Sequence, residues 1–123
     1  MCIIAAKPAG IALPNAKTIE TMWYANPDGA GFMYAHDGKV VIEKGFMTLE
    51  EFTAALNRAA KTVDLVNTGV VMHFRITTHG GTRPSNTHPF PLSGNIAALR
   101  KLRFVTDIGV AHNGIIRTVS PRD

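Results

Sequence analysis

The sequence has 123 residues, 46% of them hydrophobic and 18% charged, a composition that excludes the disordered and fibrous classes and suits one globular domain over residues 1–123. One cysteine rules out an intramolecular disulfide and points to a reducing, cytoplasmic setting, and no stretch approaches the roughly 18 apolar residues of a membrane span. The net charge of +4 is scattered; its densest run, Arg100, Lys101 and Arg103, reads as a solvated helix end, which argues against nucleic acid as a partner.

Cys2 to Lys7 forms a short apolar run closed by Pro8 and predicts a buried strand at the very start. Asn15 is a good N-cap for a helix from Ala16 to Tyr24, with Ile19, Met22 and Trp23 at helical spacing and Pro27, Asp28 and Gly29 beyond it. Gly31–Ala35 and Lys39–Glu43 flank Asp37-Gly38, the signature of a tight hairpin. Thr48 stands three residues before Glu51 as a capping box, and Leu49, Phe52, Leu56 and Ala59 line one face of the helix it opens.

Gly69 to Phe74 predicts a second buried strand that delivers Arg75 at its end. The segment from Ile76 to Ser93 is rich in Gly, Pro, Thr, Ser and Asn and reads as a long functional loop. Asn95 is placed to cap a short helix, Ile96 to Leu102. Ile108–His112 and Ile115–Val119 bracket Asn113-Gly114, which read locally is another hairpin turn. The order of elements predicts an α+β fold of antiparallel sheets covered by helices.

Four features carry chemistry together: Cys2, the segment Asn26-Pro27-Asp28-Gly29-Ala30-Gly31-Phe32, the segment His73-Phe74-Arg75-Ile76-Thr77-Thr78-His79-Gly80, and His112-Asn113-Gly114. In this order and spacing they resemble the class II, N-terminal-nucleophile glutamine amidotransferase (glutaminase) family, in particular its short stand-alone or phage-encoded members. The resemblance runs from Cys2 to about Ile116. It implies a four-layer αββα sandwich with the nucleophile at the start of an inner strand. It further implies a Ser-Asp-Thr-like segment after the His-Asn-Gly motif; up to Asp123 this sequence has none, so the expected sandwich is incomplete.

The resemblance implies the following roles. With Met1 removed, Cys2 joins a thiol to a free α-amine, so one residue supplies both nucleophile and base. Arg75 holds the substrate α-carboxylate in a bidentate grip, with Thr78 and His79 beside it. The Asn113 side-chain amide and the Gly114 N–H form the oxyanion hole. Asp28, Gly29 and Gly31 lie near the nucleophile as structural support, and Ala25 stands where several relatives carry Arg. The reaction would release ammonia from glutamine through a Cys2 thioester, leaving glutamate, without cofactor or metal. Its expected partners are glutamine and a separate synthetase domain or subunit that uses the ammonia.

Other readings of the same residues remain open. Taken singly, Cys2 suits a small buried thiol, Arg75 a surface ion pair or phosphate contact, and Asn113-Gly114 a turn. The whole chain could be a degenerate member that binds a protein, nucleotide or nucleic acid without catalysis. A further variant keeps the nucleophile but changes the amide it attacks. A metal site built from Cys2 and the histidines lacks any recognised ligand spacing.

Overall fold

Local signals decide where the elements start and stop. In the computed structural model, which describes residues 2–76, 87–91 and 102–110, the Asn15 side chain accepts the Thr18 N–H at 2.8 Å and opens helix α1, Ala16–Ala25. The Asn26 N–H closes it onto the carbonyls of Met22 and Trp23. Helix α2, Leu49–Thr62, begins where Thr48 Oγ1 accepts the Glu51 N–H at 3.2 Å and donates to the Glu51 carboxylate at 3.0 Å. Two acidic residues in its first turn and Lys61 in its last suit the helix dipole.

The strands are β1 (Ile3–Lys7), β2 (Ala30–His36), β3 (Lys39–Phe46), β4 (Val70–Phe74), β5 (Phe90–Pro91), β6 (Arg103–Thr106) and β7 (Gly109–Val110). Five of them make one antiparallel sheet in the order β1-β4-β2-β3-β6, and β5 pairs with β7 in a small second sheet. The β2–β3 hairpin turns at Asp37-Gly38, whose φ values of 52° and 73° are the paired positive angles such a two-residue turn needs.

Strand alternation divides the large sheet into two faces. Ala30, Phe32, Tyr34, Val41, Val70, Met72 and Phe74 form one core with Ile19 and Trp23 of α1 and with Phe52, Ala55, Leu56 and Ala59 of α2. The ring of Phe52 sits at its centre, edge-on to Phe32 and Phe46 at 5.9 Å and tilted against Phe74 at 5.1 Å. The opposite face meets the second sheet: a side chain at Gly109 would run into Met33, Ile42 and Val40, and Ile42 is fully buried there. Helices, five-stranded sheet and two-stranded sheet therefore stack as layers of a mixed α+β fold.

One expected element is corrected. Leu102 is not the last residue of a helix but a bend whose carbonyl accepts the Lys44 N–H at 2.8 Å, and Arg103 opens strand β6 beside β3. Arg103 thus belongs to no helix end; it reaches Glu43 across the strand pair at 3.7 Å. Residues 96–101 of the expected helix, and residues 111–119 of the expected second hairpin, lie outside the described residues. Val110 pairs with Phe90.

Candidate active site

The site residues within the described chain collect at one end of the large sheet. Ile3 pairs with Phe74, and Phe74 pairs on its other side with Ala30. One step further out, Cys2 follows β1 in reverse, Arg75 follows β4, and Asp28-Gly29 precedes β2. In an antiparallel ladder such facing positions are about 5 Å apart between Cα atoms and share a face. Cys2 and Arg75 thus stand one residue beyond Ile3 and Phe74, whose side chains belong to the core beneath the helices.

Backbone bonds secure this row. The Arg75 N–H donates to the Gly29 carbonyl at 2.8 Å, and the Arg75 carbonyl accepts the Asp28 N–H at 2.9 Å, so two residues face one in a bulge. Gly29 adopts φ 122°, which other residues rarely take. The Cys2 thiol is partly exposed and lies 3.9 Å from the Ile76 carbonyl, and Arg75 is buried at 7% exposure. Asn26, also buried, donates from Nδ2 to the Phe74 carbonyl at 3.4 Å and ties the end of α1 to the same row.

Thr87 and His88 press onto this end of the sheet from the second layer. A Cβ at Gly29 would stand 2.6 Å from Thr87 Cγ2, and one at Gly31 would strike the His88 carbonyl and stand 2.7 Å from Lys44 Cβ. The Thr87 hydroxyl accepts the Gly45 N–H at 2.7 Å, at a point where β3 bulges against β2. The His88 ring lies tilted against that of His73, with centroids 4.4 Å apart. Burial lowers the Lys44 ammonium from 10.5 to about 8.

Comparison with protein-family models, with curated proteins and with solved structures finds no match.

The arrangement gathers a partly exposed thiol, a buried guanidinium and a strand end stripped of side chains by two glycines. It suits a nucleophile facing a carboxylate-bearing ligand. Thr78, His79, Asn113 and Gly114 lie outside the described residues. Among the described residues no three His, Cys, Asp or Glu side chains gather as a metal site, and no helix is long and apolar enough to cross a membrane.

Sequence reasoning missed the contact between Thr87–His88 and the glycine pair, and the burial of Lys44. A signal for the first was present: glycines two apart in a strand strip one face at two neighbouring positions, which invites another backbone to approach. Nothing in the sequence marked Lys44, whose neighbours Glu43 and Gly45 read as a polar strand end.

Proposed function

We propose that this chain is a glutaminase domain of the N-terminal-nucleophile glutamine amidotransferase type, cytoplasmic and supplying ammonia to a separate synthetase. The observation that carries the reading is that Cys2, Arg75 and Asp28-Gly29 flank the same end of the paired strands β1, β4 and β2, with Arg75 bonded to Asp28-Gly29 through the backbone. Two sheets facing each other, with helices over the outer face of the larger one, support a sandwich architecture with the nucleophile at the start of a strand.

In this reading Met1 is removed and the Cys2 α-amine takes the thiol proton, directly or through one water. The sulfur adds to the glutamine side-chain carbonyl carbon, and the resulting oxyanion is held by the Asn113 amide and the Gly114 N–H. The C–N bond breaks as the ammonium form of the α-amine protonates the leaving nitrogen, releasing ammonia and a thioester. Water cleaves the thioester to glutamate and free Cys2. Arg75 grips the α-carboxylate throughout, with Thr78 and His79 beside it, and so selects an amide that belongs to a free amino acid.

Intact mass of the full chain after incubation with a diazoketone analogue of glutamine tests this. The expected result is a single adduct on Met1-free chain, suppressed by excess glutamine and absent from Cys2→Ala. An unmodified mass in Met1-free chain would overturn the assignment and leave a ligand-binding role for the scaffold. Absence of glutamine protection would leave a reactive thiol with a different amide substrate.

A further inference from the structure

Strand β1 carries Cys2, yet little in its composition says how it should slide against β4. Among the described residues it is an edge strand paired with β4, and its interior reads Ile-Ile-Ala-Ala. Ile3 and Ala5 lean on the core while Ile4 is 38% exposed. A one-residue slip would exchange Ile3 for Ile4 and Ala5 for Ala6, leaving the apolar pattern almost unchanged while turning Cys2 to the other face. Hydrophobicity alone leaves this register nearly degenerate.

Lys7 breaks the degeneracy. Its side chain is buried at 6% exposure, and its Nζ donates to three backbone carbonyls: Pro8 at 3.0 Å, Ile11 at 2.7 Å and Val66 at 3.0 Å. An ammonium has three protons, so the set is complete. Val66 also accepts the Gly10 N–H at 2.7 Å, which stitches the loop after β1 to the loop before β4. Pro8 and Ile11 belong to the loop that follows β1 and wrap it around the ammonium, while Val66, in the loop before β4, is the partner across the strand pair; a one-residue slip of β1 would carry Lys7 to the opposite side of the sheet, away from that carbonyl. Arg75 and Lys7 thus stand at opposite ends of the same strand pair.

We infer that Lys7 is a positioning residue, a three-carbonyl lock that sets the register of β1 on β4 and thereby brings Cys2 across from Arg75. The part concerning Cys2 chemistry rests on the glutaminase reading; the register lock does not.

The test uses the full chain with Cys2→Ser and a reporter pair, Ala6→Cys and Val71→Cys, which face each other in the native register. Opposed Cα atoms fall within disulfide reach, so oxidation cross-links the native pairing. Adding Lys7→Met should lower the cross-linked fraction at least about fivefold, since three charge-assisted bonds are lost, while the thermal melt stays cooperative. Lys7→Gln, which keeps two donors, should fall between. In the chain that retains Cys2, Lys7→Met should slow adduct formation with the glutamine analogue by a similar factor, yet leave alkylation by a small neutral reagent unchanged. Wild-type cross-linking in Lys7→Met would overturn the proposal. Loss of cooperative melting in both Lys7 variants would overturn it too, since Lys7 would then hold the whole fold. Because the cross-link is read without glutamine, normal register dependence with an inert Cys2 would sink the glutaminase reading alone.

Discussion

Gly31 and Gly38 show how differently one missing side chain can matter. At Gly31 a Cβ would meet backbone and strand atoms that cannot withdraw, namely the His88 carbonyl, Lys44 Cβ and the Glu43 carbonyl. At Gly38 nothing lies within 4 Å, and the only demand is φ 73°. Gly31→Ala should therefore cost about 3 kcal/mol by overpacking, and Gly38→Ala about 1 kcal/mol by backbone strain. Urea midpoints of the two variants check the order; equal losses would contradict the close approach of residues 87–89. Lys44 makes a prediction of its own. Below about pH 8 both folded and unfolded chains hold its proton, and the cost of a buried ammonium is present in full. Between about 8 and 10.5 the folded chain has shed the proton and the unfolded chain has not, so stability climbs with pH across that window. Lys44→Met should flatten this rise, as denaturation curves taken across the window would report.

At the scale of elements, helix α2 depends on its first turn. Thr48 satisfies the Glu51 N–H and bonds its carboxylate, so Thr48→Ala should lower stability by about 1 kcal/mol. Thr48→Ser, which retains the oxygen, should recover most of the loss in the same urea titration. The cap is also why this helix was legible in the sequence: Thr48, Glu51 and the Phe52–Leu56–Ala59 stripe all agree. The same holds for Asn15 at α1 and for Asp37-Gly38 between β2 and β3. Strand β6 was not legible. Its four residues, Arg-Phe-Val-Thr, follow a basic run that mimics a helix end, and its pairing comes from β3, some sixty residues away in the chain. Strand β5 is two residues long and is defined by its distant partner, not by any local pattern. Lys7 read only as the last residue of an apolar strand run, whereas its charge is what the surrounding carbonyls require.

For the whole molecule, the question is what holds the two sheets together. A Cβ at Gly109 would meet the thioether of Met33, which can give way, and the Ile42 and Val40 methyls at 3.2 and 3.3 Å. Gly109→Ala should consequently be mild, about 1 kcal/mol, whereas Gly109→Phe should push the layers apart and cost about 3 kcal/mol or more. Thermal melts followed by near-UV circular dichroism would separate a tolerated contact from a displaced layer. The candidate site depends on the same stacking. From sequence, the grouping of Cys2, Arg75 and Asp28-Gly29 rests on the family resemblance alone, and the covering of that end of the sheet by Thr87 and His88 is a tertiary fact. No local pattern could have announced it.

The chain has one tryptophan, Trp23, and it sits 5% exposed where α1 meets the sheet. Its emission is therefore an optical gauge of a single junction: undocking of that helix would wet the indole and shift its fluorescence to the red, while Tyr24 beside it, 67% exposed, already faces solvent. A laboratory holding this protein has a built-in, label-free reporter for separating events at the helical layer from events at the thiol.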